Sequence, residues 1–317
     1  MRKNPGVASV VVTRRLPGSA VQRLAEEHAV NVWPGELPPT PAELRELTVA
    51  AEGLLCLLTD TIDKPLVDGA PRLRAIANYA VGSDNVDLAA TAARGIPVGV
   101  TPDVLTDATA DLAMALLLAV ARKLPQAHAA VRAGGWRTWE PAGWLGLELH
   151  GATLLIVGPG RIGSAVAHRA EAFGMRVITA GREDDLAALL PEADAVSLHV
   201  PLTNETRHLI GADALRAMRP HAVLVNTARG AIVDQAALRR ALHEGWIAGA
   251  GLDVSDPEPL PPDDPLLGAP NLLVVPHIGS ATHAARERMV ALAVNNLLAG
   301  LDGRPMPNPA STHARAE

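Results

Sequence analysis

Three charged residues in the second half of the chain stand where strands of a parallel sheet are expected to end. Arg229 lies in VNTARG, Glu258 in GLDVSDPEPL and His277 in VVPHIGSAT, and each follows a run of apolar residues. In an open α/β sheet, ligands bind in the crevice at the carboxyl ends of the strands. We therefore expect the three side chains to point into one cleft.

These residue types suit the reduction of a 2-keto acid. An arginine binds a carboxylate through two parallel hydrogen bonds. A histidine donates a proton to the keto oxygen as hydride reaches the carbon, and a neighbouring carboxylate stabilises the protonated imidazole. Taken singly, each residue is more often structural or solvent-facing. The trio at successive strand ends favours an active site.

The segment Gly151–Gly174 predicts a dinucleotide site. An apolar run, Ala152–Val157, is followed by Gly158, Gly160 and Gly163 in the spacing G-x-G-x-x-G and then by a helical pattern. The first glycine permits a tight turn, the second lets a pyrophosphate approach the backbone, and the third lets the helix pack against its strand. The helix N-terminus then offers N–H groups to the phosphates.

The end of the next strand, MRVITAGRED, indicates which dinucleotide is used. NAD-binding sites place an acid there to bind the ribose 2′-hydroxyl, but this chain has Gly181 and then Arg182. An arginine without the acid suits a 2′-phosphate, so NADP(H) is the predicted cofactor. Glu183 lies 20 residues after Gly163, close to the usual spacing, and so NAD(H) stays open as an alternative.

Apolar runs and helical patterns alternate along the chain, which predicts an α/β protein with parallel sheets. In residues 1–100 we expect strands at Ala8–Val12, Val30–Trp33, Leu54–Leu58, Leu73–Asn78 and Pro97–Val100, with helices at Gly18–Glu27, Thr40–Ala51, Lys64–Asp68 and Val86–Arg94. After a long helix at Asp103–Lys123, six strands are expected at Ala152–Val157, Met175–Ala180, Ala195–Val200, Ala222–Val225, Ile247–Val254 and Leu272–Val275.

A last helical pattern, His283–Leu301, follows the sixth of these strands and is expected to return to the first domain. We thus predict a discontinuous substrate-binding domain, residues 1–102 and 283–317, and a dinucleotide-binding domain, residues 103–282. Three of the five tryptophans, Trp136, Trp139 and Trp144, cluster in one segment. A loop pinned onto its own domain would explain them, but an oligomer contact is favoured because tryptophan is enriched at interfaces.

Composition excludes several classes of protein. The chain has 317 residues, a net charge of −6 and 48% hydrophobic residues, which indicates a globular protein without a nucleic-acid partner. Its one cysteine, Cys56, lies in an apolar run and cannot form an internal disulfide, so a reducing cytoplasm is expected. The first apolar stretch is short for a signal peptide, and we expect neither a membrane anchor nor a metal.

Taken together, these motifs resemble the D-2-hydroxyacid dehydrogenases, and among them the glyoxylate/hydroxypyruvate reductases. The shared segments include GLLCLLTD, VGSDNVDL, TPDVLTDATADLA, GGWRTW, VGPGRIG, VPLTNETRHLI, VNTARG, GLDVSDPEPLPPDDPLL and PHIGSATH. The 29-residue separation of Arg229 and Glu258 also fits the family. The resemblance implies two doubly wound parallel-sheet domains, with a Rossmann dinucleotide-binding domain inserted in a flavodoxin-like substrate domain. It also implies a homodimer built through the dinucleotide domain.

The resemblance assigns roles to individual residues. It implies that Arg229 binds the substrate carboxylate, that His277 is the acid/base and that Glu258 is its partner. The cofactor would contact Gly158, Gly160, Arg161, Ile162, Gly163, Gly181, Arg182, Pro201, Thr206, Thr109 and Asp253. The substrate would contact Val81, Gly82, Arg229, Ser280, Leu58 and Trp139, the last from the partner subunit. The implied reaction reduces glyoxylate and hydroxypyruvate to glycolate and D-glycerate.

Two other functions stay open at this point. The family includes dinucleotide-sensing regulatory proteins on the same fold, which keep a similar trio of charged residues. Another D-2-hydroxy acid, such as 3-phosphoglycerate, would need extra basic residues near the substrate. Lys64 and Arg72 are the nearest candidates, and neither is compelling.

Overall fold

The computed structural model describes residues 6–310, which form two compact α/β units. The terminal unit contains the described residues up to Leu105 together with those from Ala281 onward, and the central unit is Thr106–Ser280. The boundaries expected from the sequence lie at residues 102/103 and 282/283. The chain therefore enters the central unit once and leaves it once.

The terminal unit is built on a five-stranded parallel sheet. Its strands are β1 Ser9–Val12, β2 Ala29–Val32, β3 Gly53–Cys56, β4 Ala75–Asn78 and β5 Val98–Gly99. They are ordered β2-β1-β3-β4-β5, which is the flavodoxin-like order. Strands β3 and β4 are buried along their whole length, as expected for a sheet covered on both faces.

Helices cover this sheet, and capping side chains mark where several of them begin. They are α1 Ala20–Glu27, α2 Pro41–Thr48, α3 Lys64–Gly69, α4 Leu88–Ala93 and the last helix of the chain, α11 His283–Leu301. Thr40 and Glu43 form a capping box at α2, and Thr282 accepts a hydrogen bond from the Ala285 N–H at the start of α11. The bounds of α11 agree with those expected from the sequence.

The central unit is built on a six-stranded parallel sheet. Its strands are β6 Thr153–Val157, β7 Arg176–Ala180, β8 Ala195–Leu198, β9 Val223–Asn226, β10 Gly249–Leu252 and β11 Leu272–Val274. The order is β11-β10-β9-β8-β6-β7, so one strand lies on one side of β6 and four lie on the other. The direction of winding reverses between β6 and β8, which makes their carboxyl ends the expected ligand crevice.

The central unit contains several helices, and some of them cover the two faces of its sheet. They are α5 Thr106–Ala121, α6 Leu124–Arg132, α7 Arg161–Ala172, α8 Leu186–Leu189, α9 Ala212–Ala217 and α10 Gln235–Glu244. The long helix expected at residues 103–123 is shorter in the structure because Asp103 and Lys123 both have positive φ, at 68° and 52°. Helix α6, which was not anticipated, follows Lys123 with Pro125 in its first turn.

These two sheets confirm the predicted fold class of paired parallel α/β units. Within residues 6–310, no helix is both long and apolar enough to cross a membrane.

Candidate active site

The turn after β6 has the shape that a dinucleotide pyrophosphate requires. Gly158 has φ +92°, and a Cβ there would lie 2.9 Å from the backbone of His199. A Cβ on Gly163 would lie 2.2 Å from the Gly158 carbonyl oxygen, so only glycine lets α7 pack so close to its strand. At Gly160, no described atom would lie within 4 Å of a Cβ. Open space of this kind lets a phosphate approach the backbone.

Helix α7 begins directly after this turn, at Arg161. The first N–H groups of a helix have no partners within the helix, and they carry its positive dipole end. Such groups belong to Ile162 and Gly163, while the Ser164 N–H already bonds to the Gly160 carbonyl. The Ile162 side chain is half-buried and packs against the core of the unit. The described residues therefore fit a dinucleotide.

The end of β7 carries Gly181 and Arg182, both exposed. The Gly181 N–H donates to Asp184 Oδ2 at 2.7 Å, and Asp185 caps α8 by accepting from the Ala188 N–H. Two of the three acids in this segment thus bind backbone amides. A hydrogen bond from Thr203 is the largest influence that lowers the pKa of Glu205, and the charge of Arg182 makes a smaller contribution in the same direction.

The loop after β8 lies beside the glycine turn. A Cβ on Gly158 would also lie 2.8 Å from a Val200 side-chain carbon, which shows how closely the two loops pack. Thr206 Oγ1 donates to the Pro201 carbonyl oxygen at 2.6 Å and accepts from the Thr203 N–H at 2.8 Å. Pro201 and Thr206 therefore belong to one closed turn at the switch point of the sheet.

Asp253, directly after β10, joins three parts of the central unit. Its carboxylate accepts the N–H groups of Ile278 and Gly279 at 2.6 and 2.8 Å. A Cβ on Gly279 would lie 3.3 Å from Thr109 of α5, so Thr109 and Asp253 border the same glycine. Burial raises the pKa of Asp253, and Glu258 raises it further, whereas the two N–H donors and the charge of His277 oppose the rise.

His277 and Glu258 form a direct pair at this edge of the sheet. His277 Nδ1 lies 2.5 Å from Glu258 Oε1, and the two side chains are 25% and 34% exposed. His277 has φ +52°, and its N–H bonds to the Asp253 carbonyl oxygen at 2.9 Å. Because Nδ1 faces the carboxylate, Nε2 is the nitrogen that can exchange a proton with a ligand.

Arg229 lies in a loop that is fixed against the Glu258 loop. Buried Asn226 donates from Nδ2 to the Arg229 carbonyl oxygen at 2.8 Å and accepts the Ala228 N–H at 3.0 Å. A Cβ on Gly230 would lie 2.0 Å from the Ser255 carbonyl carbon. The β9 and β10 loops are thus in backbone contact, which brings the three charged residues to one edge of one sheet.

The other expected substrate contacts are distributed over both units. Leu58 and Val81 are exposed apolar residues of the terminal unit, at 37% and 42%, and Gly82 follows Val81. Ser280 ends the central unit and is half-buried. Trp139 is 79% exposed in the segment after α6.

Sequence reasoning missed the asparagines that hold these loops. Asn78 ends β4 and is 0% exposed, and Asn226 ends β9 and is 1% exposed. The available signal was an apolar run that ends on asparagine. A buried amide must find hydrogen-bond partners, and the nearest backbone groups at a strand end belong to the following loop.

Comparisons with known proteins give a consistent result. Residues 114–279 match the family described as "D-isomer specific 2-hydroxyacid dehydrogenase, NAD binding domain". A glyoxylate reductase of Korarchaeum cryptofilum is 48% identical over 313 residues, covering 94% of each chain. One of Thermococcus litoralis is 47% identical over 316 residues, covering 94% of this chain and 95% of the relative.

Solved structures match nearly all of the chain. The TT0316 protein of Thermus thermophilus has a TM-score of 0.91 at 52% identity, covering 96% of this chain and 100% of that one. An NADPH-dependent glyoxylate/hydroxypyruvate reductase of Sinorhizobium meliloti, solved with NADP and malonate, has a TM-score of 0.84 at 36% identity. The match covers 96% of this chain and 97% of that one.

Proposed function

Because the chain belongs to the D-isomer specific 2-hydroxyacid dehydrogenase family and is an NAD(P)-dependent oxidoreductase, we propose that it reduces glyoxylate and hydroxypyruvate. The products are glycolate and D-glycerate. The observation that carries the proposal is the 2.5 Å pair of His277 and Glu258 at the sheet edge that also holds the glycine turn. The names of the relatives from Korarchaeum, Thermococcus and Sinorhizobium support the choice of substrates.

In this proposal each residue of the trio has one task. Arg229 binds the substrate carboxylate through two parallel hydrogen bonds, and the Val81 and Gly82 N–H groups add to that binding. His277 Nε2 donates a proton to the keto oxygen, and Glu258 holds Nδ1 and stabilises the imidazolium. Ser280 and Leu58 lie beside the substrate. A bound nicotinamide dinucleotide supplies the hydride that the keto carbon accepts.

The cofactor would be held by groups around the switch point of the central sheet. The amides of Arg161, Ile162 and Gly163 take the pyrophosphate at the turn of Gly158 and Gly160. Pro201 and Thr206 border the same crevice. Thr109 and Asp253 lie on the nicotinamide side, where Asp253 also anchors the loop that carries His277.

We also propose that NADPH is preferred over NADH. Arg182 stands after β7 with Gly181, and Asp184 is already bonded to the Gly181 N–H. Replacing Arg182 by alanine should raise the KM for NADPH about tenfold and leave the KM for NADH nearly unchanged. Arg176→Ala is the control, because Arg176 begins β7, at the end of the strand opposite to Arg182, and pairs there with Glu192. Equal effects of Arg182→Ala on both cofactors would contradict the assignment.

The decisive experiment measures initial rates with glyoxylate and with hydroxypyruvate, each with NADPH and with NADH. Turnover of both acids, faster with NADPH, is the expected result. Turnover with NADH alone would support the proposed reaction but not the cofactor preference. An acid such as Glu183 would then bind the ribose 2′-hydroxyl of NADH. Cofactor binding without turnover of either acid would contradict the reductase proposal and favour a dinucleotide sensor or a larger acid such as 3-phosphoglycerate.

Two properties of the whole protein complete the proposal. The exposed tryptophans after α6 support a homodimer formed through the central unit, with Trp139 contacting the substrate of the partner subunit. The one cysteine, Cys56, is buried as a free thiol, which is consistent with a reducing cytoplasm.

A further inference from the structure

A network of side-chain amides in the terminal unit is hydrogen-bonded to the loop Val81–Gly82 at Gly82. Asn78 Nδ2 donates to the Gly82 carbonyl oxygen at 2.9 Å and to Asn85 Oδ1 at 2.9 Å. Asn85 Nδ2 in turn donates to the carbonyl oxygens of Leu57 and Asp60, each at 3.0 Å. The two asparagines therefore connect the loop after β4 to the loop after β3.

The loop after β3 is itself fixed from inside the unit. Asp60 is 2% exposed, and its Oδ2 accepts the Leu57 N–H at 2.8 Å and the Thr13 hydroxyl at 2.5 Å. The Asn85 carbonyl oxygen also accepts the Ile62 N–H at 2.9 Å. Leu58, an expected substrate contact, thus stands in a loop whose backbone is held at both ends.

This network restricts the backbone at Gly82, which the residue itself leaves flexible. Gly82 has no side chain to restrict its backbone dihedrals, so its peptide groups would rotate more freely than those of other residues. Each peptide unit is planar, and a carbonyl held by Asn78 therefore fixes the unit between Gly82 and Ser83, which carries the Ser83 N–H. The Gly82 N–H belongs to the preceding unit, and its orientation is restricted because Gly82 joins that unit to the fixed one. N–H groups that are oriented before the ligand arrives bind it more tightly than groups that must be ordered.

We propose that Asn78 and Asn85 are positioning residues that hold the Val81–Gly82 backbone in the orientation that binds the substrate carboxylate. The inference rests on the proposed function, because it assumes that these amides meet a 2-keto acid. Neither asparagine touches the substrate in this proposal. Both act on it through the backbone of the loop.

The test compares Asn85→Ala and Asn78→Ala with Asn296→Ala. Asn296 is a matched control because it is also a fully buried asparagine of the terminal unit, with Nδ2 donating to the Val100 carbonyl oxygen at 2.8 Å. Its Oδ1 accepts the Asn308 N–H at 2.9 Å, away from the Val81–Gly82 loop in sequence. Asn85 is only half-buried, so its variant serves if Asn78→Ala does not fold.

We expect Asn85→Ala and Asn78→Ala to raise the KM for glyoxylate about tenfold while kcat stays within about threefold. The dissociation constant for NADPH, followed by nucleotide fluorescence, should not change. Asn296→Ala should lower the melting temperature and leave the KM unchanged. A KM within twofold of the wild type in Asn85→Ala, or an equal rise in Asn296→Ala, would overturn the inference.

A second readout separates this inference from the proposed reaction. Calorimetry of malonate binding to the protein with NADP+ reports carboxylate binding without turnover. If wild-type protein fails to reduce glyoxylate but binds malonate, and Asn85→Ala weakens that binding about tenfold, the reaction is wrong and the positioning role stands. If malonate binds both proteins equally, the positioning role is wrong whatever the reaction.

Discussion

His277 and Glu258 determine which imidazole nitrogen is available for chemistry. With Nδ1 2.5 Å from the carboxylate, Nε2 alone can exchange a proton with a ligand. The backbone holds this arrangement, since the His277 N–H and the two following N–H groups all bond to Asp253. Buried Asp253 accepts hydrogen bonds from the two N–H groups that follow His277 and therefore holds the imidazole in place.

Removing the imidazole should slow the reaction without releasing the cofactor. We expect His277→Gln to lower kcat about 10³-fold with glyoxylate, because general acid catalysis contributes about 10²–10⁴-fold. Glu258→Gln should lower it less, since the imidazole remains. His221→Gln is the control, because His221 pairs with Asp194 elsewhere in the central unit. The measurement is steady-state turnover, with NADPH affinity checked separately. Unchanged kcat in His277→Gln would exclude it as the acid.

A second histidine makes stability depend on pH. Burial lowers the pKa of His199 from 6.5 to about 4, and its Nε2 lies 2.8 Å from the Ser197 hydroxyl. The folded state therefore binds this proton less well than the unfolded state. The contribution of neutral His199 to the free energy of unfolding is therefore complete above pH 6.5, and it is lost as the pH falls toward about 4.

The size of this effect can be measured by urea unfolding. Between pH 6.5 and pH 4.5, proton uptake by this histidine in the unfolded state should lower the free energy of unfolding by about 2 kcal/mol. The free energy of unfolding of His199→Gln should fall less than that of the wild type over the same interval, and the difference should be about 2 kcal/mol. Equal losses in the two proteins would show that other groups cause the acid destabilisation.

At the scale of elements, the turn between β6 and α7 shows how three glycines serve three different purposes. Gly158 adopts a positive φ, Gly163 permits close contact of helix and strand, and Gly160 leaves open space. Only the space at Gly160 is unrelated to folding. Packing of the backbone thus accounts for Gly158 and Gly163 but not for Gly160.

Alanine at these positions should therefore have different effects. Gly160→Ala should change the unfolding free energy by less than about 0.5 kcal/mol and weaken NADPH binding at least about tenfold. Gly163→Ala should lower stability by about 1–3 kcal/mol, because its Cβ would meet the Gly158 carbonyl oxygen.

Gly268→Ala is the control for both variants, since no described atom would lie within 4 Å of a Cβ there. Unfolding by urea and titration with NADPH separate the two effects. A Gly160→Ala protein that binds NADPH as tightly as the wild type would contradict the pyrophosphate assignment.

At the scale of the whole molecule, the segment from α6 to Leu145 exposes large apolar side chains that a partner could bury. In the part of the chain that the structure describes, α6 has no buried residue. Trp136, Trp139 and Leu145 are 70%, 79% and 67% exposed. A groove of about 320 Å³ lies in the same segment and is lined by Val131, Trp136 and Trp144 among others. Exposed apolar surface of this kind marks an interaction site.

We expect the protein to have twice the mass of its 33.0 kDa chain in light scattering. The double variant Val131→Asp and Trp136→Asp should shift it toward the monomer, because burying unpaired carboxylates is costly. Phe173→Asp is the control, since Phe173 is a 45% exposed apolar residue of the central unit outside this segment. A monomeric wild-type protein would contradict the interface.

Much of the fold could be predicted from the sequence because the signals are local. Apolar runs and turn residues indicate strands and helices through contacts of neighbouring residues, and α11 was placed at its observed bounds. Helix α6 was not anticipated, because the break between it and α5 depends on the positive φ of Lys123, which the residue type does not reveal. The turn before α7 could also be predicted from the G-x-G-x-x-G spacing, because the glycines lie within a few residues of one another in the sequence.

The sequence alone therefore determined the fold class, the family and the residue types that suit 2-keto acid reduction. The tertiary structure decided the rest: the strand order on either side of β6, the pairing of Nδ1 with Glu258, the contact of Gly230 with Ser255, and the anchoring of Gly82 by Asn78. Each of these depends on distances through space. Residues far apart in the chain meet only after the sheets are assembled, and hydrogen bonds are specific to tenths of an ångström.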